Sequence, residues 1–256
     1  YKDKLLDLER IQGAPSYILL LYILTEQKRL NISDEQILYL VKLLITFFVR
    51  RNITDIPNTR NLNKIFMDII ENIKKMQGEE VCTYIKNNLR EVSASDELFE
   101  QKLRGNLYDE NPEATRFILC SIEALHQTKE IYTDLWSRDN SNKYIWTIEH
   151  IFPEGQNIPQ SWVDMIANGD KNKANEYLQN YVHTLGNLTI TGYNQNLSNM
   201  SFIDKRDRVN KEGKNIGYKN GLFLNEDVVN EDNWTIDKIE KRTEKMINIL
   251  MNLYKM

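Results

Sequence analysis

The segments that decide the expected fold are IWTIEHIFPEGQ (residues 145–156) and HTLGNLTITGYNQNLSNMSFIDKRDR (residues 183–208). In the first, the β-branched and aromatic run 144–148 predicts a strand, and Pro153 with Gly155 predicts a loop after it. The second predicts a strand over 185–191, an Asn-rich loop, and a helix over 202–211. A strand–strand–helix unit of this kind is compact enough to hold one ion between a hairpin and a helix.

Helical patterns surround this unit on both sides. Residues 160–181 predict an amphipathic helical insertion between the two strands, and 235–254 predict a final helix. From 2 to about 138 the pattern is helical nearly throughout, with Ser33 as an N-cap and later helices over 80–92, 95–103 and 112–135. A turn cluster at 139–142 marks a domain boundary. We therefore expect a mainly α protein, with a helical bundle domain over 1–139 and a second domain over 140–256.

The composition narrows the class of protein. Hydrophobic residues make up 41% and charged residues 27% of the 256 residues, which is typical of a globular chain. The two cysteines form no CxxC pair, which argues against a zinc knuckle. The longest apolar runs, 17–24 and 40–49, are too short to cross a bilayer, and no signal peptide is visible. We expect a cytoplasmic protein with no membrane partner, and the first residue, tyrosine, suggests a piece of a longer chain.

The distribution of charge bears on nucleic-acid binding. A net charge of −4 argues against a protein that coats nucleic acid over its whole surface. Residues 201–220 nevertheless hold six basic and three acidic residues, a local net charge of +3. This segment follows the second predicted strand, so it indicates either a phosphate-binding face or a solvated helix face.

Hydrolysis of a phosphodiester needs a base and a cation, and these two segments contain a candidate base and candidate ligands for a cation. Glu149 and His150 end the first strand, Asn187 closes a Leu-Gly-Asn turn, and Asn196 follows nine positions later. A neutral histidine can activate water near neutral pH. Carboxylate and amide oxygens suit a hard divalent cation.

The motifs TIEHIFP, LGNLTITGYNQN and NLSNMSFIDKR resemble the HNH (ββα-metal, His-Me finger) endonucleases. The resemblance is closer to the C-terminal nuclease domain of GmrSD-type modification-dependent restriction enzymes, and SspE-like phosphorothioation-dependent nucleases are similar. It is strong over 144–211 and looser over the helical region. The resemblance implies a helical bundle followed by a ββα-metal nuclease domain with a helical insertion and a C-terminal helix. It further implies an anti-phage endonuclease that nicks or cuts DNA.

The resemblance also assigns roles to individual residues. It implies that His150 is the general base and that Asn187 braces the loop carrying it. One Mg²⁺ or Mn²⁺ ion would be held by Glu149 and Asn196. DNA phosphates would be contacted by the basic residues that follow, namely Lys205, Arg206 and Arg208. Such proteins usually carry an N-terminal nucleotide-hydrolysing sensor domain with a DGQQR-like motif, which this sequence lacks, so that domain is expected outside this chain.

Each of these residues has an alternative interpretation that the sequence leaves open. His150 can be a hydrogen-bonded structural residue, Glu149 can form a surface ion pair, and the asparagines can cap turns. Asn194 can support the metal indirectly, and His183 is interpreted as a packing or surface residue. At the level of the whole chain, the alternatives are an inactive HNH-like DNA-binding module and a helical protein-interaction fragment.

Overall fold

A computed structural model describes residues 2–256, which form seventeen α-helices or strands. Two compact units are present: one contains the described residues up to Lys102 together with Met251–Met256, and the other contains Leu103–Leu250. Within residues 2–256 no helix combines the length and the apolar character needed to cross a membrane. The elements are, in chain order, α1 (Lys2–Arg10), α2 (Tyr17–Thr25), α3 (Gln27–Leu30), α4 (Asp34–Thr54), α5 (Thr59–Ile73), α6 (Glu79–Val92), α7 (Asp96–Leu103), α8 (Leu107–Glu110), α9 (Pro112–Ala124), β1 (Thr147–His150), α10 (Gln160–Ala167), α11 (Lys171–Tyr181), β2 (Leu188–Thr191), α12 (Asn194–Leu197), α13 (Phe202–Asp207), α14 (Glu226–Val229) and α15 (Ile236–Leu253).

The N-terminal unit is helical and is built around α4. This helix begins with a capping box, in which Ser33 and Gln36 each bond the other's backbone nitrogen. Its apolar face is buried, and the rings of Phe47 and Phe48 pack against Phe66 of α5. The helical character predicted for this region is therefore confirmed.

The C-terminal unit contains a two-stranded antiparallel sheet, in which β1 pairs with β2. The register places Glu149 opposite Thr189 and His150 opposite Leu188. The connection between the strands carries α10 and α11, so the helical insertion expected between the strands is present. Around this hairpin lies an aromatic core, which includes Phe152, Trp162, Phe202 and Trp234.

The turn before β2 is fixed by close packing against α15. A Cβ on Gly186 would lie 2.0 Å from the backbone oxygen of Ile239, so only glycine fits there. The buried guanidinium of Arg242 donates to the backbone oxygens of Gly186 and Leu188, at 2.7 and 2.8 Å. These contacts hold the Leu-Gly-Asn turn against the final helix.

Several element boundaries differ from the sequence predictions. The helix predicted over 112–135 ends at Ala124, because the Thr128 hydroxyl accepts hydrogen bonds from the backbone nitrogens of Glu130 and Ile131 and stabilises a turn. The insertion predicted over 160–181 is two helices, since Asn168 adopts a left-handed conformation (φ 51°) and Asp170 caps a new helix. The first strand is shifted to Thr147–His150, and the helix predicted over 202–211 ends at Asp207.

The division into compact units also differs from the predicted boundary between residues 139 and 140. Helices α8 and α9 lie within the C-terminal unit. The buried Arg116 of α9 donates to the backbone oxygens of Leu135 and Trp146, and Glu123 accepts from the backbone nitrogens of Phe223 and Leu224. These long-range hydrogen bonds, which the local sequence pattern does not reveal, tie α9 to the segment that carries the sheet.

Candidate active site

A cavity of about 580 Å³ opens at the end of β1 in the C-terminal unit. Polar and titratable side chains on its wall come from the end of β1, the loop after it, α12 and α13. Those used below are Glu149, His150, Glu154, Asn194 and Lys205, with Tyr108 contributed by α8. The structure therefore brings the Glu-His pair of the first segment and the Asn-rich loop of the second to one place.

His150 lies at the last position of β1 and is 7% exposed. Its Nε2 lies 3.1 Å from Nδ1 of His183, within hydrogen-bond distance. Burial lowers the pKa of His150 to about 3, and the neighbouring His183 and Lys205 act in the same direction. The imidazole is therefore neutral at physiological pH, the protonation state that a general base requires.

Tyr108 fixes the orientation of both imidazole rings. Its ring meets His150 edge-on, with centroids 4.7 Å apart, and stacks on His183 with centroids 5.5 Å apart. The backbone nitrogen of Tyr108 also donates to the backbone oxygen of His183. Sequence analysis missed Tyr108, since nothing in the local pattern of α8 distinguishes it from a packing residue. It also placed His183 outside the site, although His183 opens the second decisive segment.

Glu149 lies at the base of the cavity in a buried ion pair with Lys205. The Lys205 ammonium donates to Oε1 of Glu149 at 2.7 Å and to the backbone oxygens of His150 and Ile151 at 2.8 and 3.2 Å. The Tyr218 hydroxyl donates to the same carboxylate oxygen at 3.2 Å. Burial raises the pKa of Glu149 and lowers that of Lys205, and each partner opposes the shift of the other.

This arrangement corrects the interpretation of Lys205. The sequence analysis placed it against a DNA phosphate, but its side chain is 1% exposed and its three hydrogen bonds are made within the protein. The physical reason is the buried carboxylate of Glu149, which a cation must neutralise. The alternative of a surface ion pair for Glu149 is also wrong, because this pair is buried.

Arg206 and Arg208 differ in whether their guanidinium groups are already paired within the protein. The guanidinium of Arg206 is paired with Asp207 and Asp232 and also donates to the backbone oxygen of Glu231. The prediction that Arg206 contacts DNA is therefore not supported by its environment. Arg208 is exposed, and no ion pair or hydrogen bond of its guanidinium occurs within residues 2–256. It remains a candidate for a phosphate contact.

Asn187 is fully buried and holds the loop that follows His150. Its side-chain amide accepts from the backbone nitrogen of Phe152 at 2.8 Å and donates to the backbone oxygens of Phe152 and Val182 at 2.9 and 3.0 Å. Its own backbone oxygen accepts from the nitrogen of Ile151 at 2.9 Å. Asn187 thus connects the turn before β2 to the loop after β1, and its burial keeps it from contact with a substrate.

The two candidate asparagines of the second loop are placed differently. Asn196 is exposed and does not line the cavity. Asn194 does line it, and its amide nitrogen donates to the backbone oxygen of Ile148 at 2.7 Å. That hydrogen bond ties the first turn of α12 to β1. The predicted ligand Asn196 therefore lies outside the cavity, because α12 turns residue 196 toward solvent, and of these two asparagines it is Asn194 that lines the cavity wall.

A group of potential transition-metal ligands includes two residues of the cavity wall, His150 and Glu154, and the neighbouring His183. One atom each from His150, Glu154 and His183 lie within 4.8 Å of one another. Glu154 comes from the loop after β1, and its Oε2 is 3.6 Å from Nδ1 of His150. Sequence analysis did not single out Glu154, whose position in the loop has no pattern of its own.

Comparison with known proteins adds a family assignment to this geometry. The family profile of the C-terminal domain of GmrSD restriction endonucleases matches residues 92–249, which is more than half of the chain and includes the whole cavity wall. A search of curated proteins found no match. The chain therefore belongs to the family of GmrSD restriction endonuclease C-terminal domains.

Proposed function

We propose that this chain is a metal-dependent DNA endonuclease that hydrolyses phosphodiester bonds at the cavity beside β1. The observation that carries the proposal is the buried imidazole of His150 on the wall of an open cavity that Glu149 and Asn194 also line. Burial lowers the pKa of His150, so the ring is neutral at physiological pH. Membership of a restriction endonuclease family supports nuclease chemistry. The proposed architecture is a ββα-metal (HNH) unit formed by β1, β2 and the helices that follow β2.

His150 is the proposed general base. In the tautomer in which its Nε2 donates to Nδ1 of His183, the Nδ1 of His150 carries a free lone pair. That nitrogen takes the proton of the attacking water as the new P–O bond forms and the bond to the leaving sugar oxygen breaks. A positioned base of this type contributes roughly 10²–10⁴-fold to the rate. Tyr108 and Asn187 hold the ring and its loop in place.

A hard divalent cation, Mg²⁺ or Mn²⁺, would be held by side-chain oxygen atoms of Glu149 and Asn194. Within residues 2–256, neither Oε2 of Glu149 nor Oδ1 of Asn194 accepts a hydrogen bond, and both residues line the cavity. Two oxygen ligands, with waters and substrate phosphate completing the shell, suit an ion of this kind. When bound, it would supply positive charge to the phosphate and the leaving oxygen.

The partner proposed for this site is DNA. Arg208 is the basic residue of the α13 region that we propose to contact the phosphate backbone. In line with the family, we further propose that the chain is the effector of a cytoplasmic anti-phage restriction system, with phage or modified DNA as substrate. Recognition of modification and nucleotide hydrolysis are assigned to an N-terminal sensor domain outside this chain.

A plasmid-nicking assay tests the proposal. Supercoiled plasmid is incubated with the chain in Mg²⁺, in Mn²⁺ and in EDTA, beside the variant His150→Ala. We expect cleavage with either metal, none in EDTA, and a loss of at least about 100-fold in the variant. His126→Ala is the matched control, because His126 is exposed and outside the cavity. Cleavage that persists in His150→Ala would refute the assignment of the base.

A second candidate function is an inactive DNA-binding module. The observation that favours it is the Lys205 ammonium, which already neutralises Glu149 and therefore competes with a metal ion for that carboxylate. Binding of plasmid DNA without cleavage in Mg²⁺ and Mn²⁺ would support this second function over the first.

A further inference from the structure

Three side chains of types that commonly bind transition metals lie close together near the end of β1. They are His150, His183 and Glu154, whose ligand atoms lie within 4.8 Å of one another. The closest pair is Nε2 of His150 and Nδ1 of His183, at 3.1 Å. Nδ1 of His150 and Oε2 of Glu154 are 3.6 Å apart. These donors are separate from the oxygen atoms of Glu149 and Asn194 considered above.

The chemistry of this donor set points to a particular class of ion. Two imidazoles and one carboxylate suit Zn²⁺, Co²⁺ and Ni²⁺, whereas Mg²⁺ prefers oxygen ligands only. At a Zn–N distance of about 2.0–2.1 Å, neighbouring ligands of a tetrahedral ion lie roughly 3.3 Å apart. The 3.1 Å between Nε2 of His150 and Nδ1 of His183 is close to this separation. The Glu154 carboxylate must move to reach the same ion, because its 3.6 Å contact is with the other nitrogen of the His150 ring. A set of two histidines and one glutamate leaves the fourth position open to water or substrate.

The three side chains are also prepared for coordination. Tyr108 contacts both imidazole rings and limits their rotation. The side chain of Glu154 is 55% exposed, so its carboxylate can move toward the imidazole nitrogens of His150 and His183 without breaking a buried contact.

We propose that His150, His183 and Glu154 form a site for a borderline divalent transition-metal ion such as Zn²⁺, and that its occupancy inhibits DNA cleavage. Binding of the ion replaces the hydrogen bond between the two imidazoles and engages the ring of His150. The inhibitory part rests on the proposed function, because it follows from the role of His150 as the base. The binding part depends only on the three ligands.

Binding is tested with Co²⁺, whose visible absorption reports a site of low coordination number, in the full chain with excess Mg²⁺. We expect one equivalent of Co²⁺ to bind and Zn²⁺ to displace it. The variants Glu154→Gln and His183→Ala should each weaken binding by at least about tenfold, since each removes a direct ligand. His126→Ala and Asn194→Ala should bind as the wild type does. Circular dichroism in EDTA verifies that every variant is folded.

The outcomes are distinguishable from those of the nicking assay. Absence of Co²⁺ binding, binding insensitive to Glu154→Gln and His183→Ala, or binding lost in Asn194→Ala overturns the proposed site. Where Mg²⁺-dependent cleavage occurs, Zn²⁺ should inhibit it, and Glu154→Gln should raise the inhibitory concentration at least about tenfold when each protein is compared with its own rate in Mg²⁺ alone. Equal inhibition of both proteins would overturn the inhibitory role. Co²⁺ binding without any cleavage would refute the endonuclease and leave the metal site intact.

Discussion

Replacing Lys205 by methionine tests the buried ion pair at the base of the cavity. The ammonium makes three hydrogen bonds within the protein, and the side chains of Lys205 and Glu149 are 1% and 3% exposed. The variant keeps an unbranched side chain of similar length but leaves a carboxylate buried without its cation. Removing one partner of such a pair costs about 3–5 kcal/mol. That is a large part of the roughly 5–15 kcal/mol that stabilises a typical domain.

Urea unfolding monitored by tryptophan fluorescence measures this loss. All four tryptophans lie in the C-terminal unit, so the signal reports the unit that contains the pair. With a slope of about 2–3 kcal/mol per molar urea, Lys205→Met should lower the midpoint by roughly 1–2 M. Lys211→Met is the matched control, since Lys211 is exposed, and should change stability by less than about 0.5 kcal/mol.

A double variant and a pH series separate the ion pair from simple packing. Glu149→Gln combined with Lys205→Met should lose at least about 2 kcal/mol less than the sum of the single variants. In Lys205→Met, loss of the ammonium raises the pKa of Glu149 in the folded protein further above its unfolded value. The folded state then binds more protons, so the deficit is smaller at pH 5 than at pH 8. A wild-type midpoint in Lys205→Met, or a deficit independent of pH, would refute the buried pair.

Three further predictions concern other parts of the site. Asn187→Ala removes three buried hydrogen bonds to the backbone and should cost about 3 kcal/mol in the same urea assay, with reduced cleavage because the loop after His150 loosens. The pKa of His150 is about 3 in the folded protein and about 6.5 in the unfolded chain, so in EDTA the free energy of unfolding of the wild type should fall as the pH decreases from 6.5. The fall should be steeper than in His150→Gln by up to about 1.4 kcal/mol per pH unit. Equal slopes for the two proteins would contradict burial of the neutral ring. Arg208→Ala should reduce the salt dependence of DNA binding by about one ion, whereas Arg206→Ala should leave it unchanged because Asp207 and Asp232 already pair that guanidinium; equal salt slopes for both variants would contradict this difference.

The local patterns of the sequence were sufficient to predict the helices and strands that position the site. The apolar periodicity of α4 and α5, the cap at Ser33 and the β-branched runs beside the Glu-His pair and the Leu-Gly-Asn turn gave the helices and both strands. Boundaries were less accurate. The turn around Thr128 and the left-handed Asn168 interrupt predicted helices through single hydrogen bonds or single backbone angles, which an averaged hydrophobic pattern does not detect.

The side chains of the site were harder to predict, because their roles depend on contacts between distant segments. The local sequence around Lys205 is typical of an exposed basic residue. Its burial depends on an ion pair with Glu149, which lies 56 positions earlier in the sequence. The choice between Asn194 and Asn196 depends on which face α12 turns toward the sheet, and sequence spacing alone does not fix that face. Tyr108 and His183 enter the site only because α8 and the end of α11 meet at the end of β1.

The central claim is that Glu149, His150 and Asn194 form one catalytic cavity, and the two asparagines of α12 test it most directly. The measurement is the rate of supercoiled plasmid cleavage in Mg²⁺ by Asn194→Ala and Asn196→Ala, which change the same residue type two positions apart. The structure predicts a loss of at least about tenfold for Asn194→Ala, which removes a proposed ligand, and an essentially wild-type rate for the exposed Asn196. A loss confined to Asn196→Ala would contradict the account.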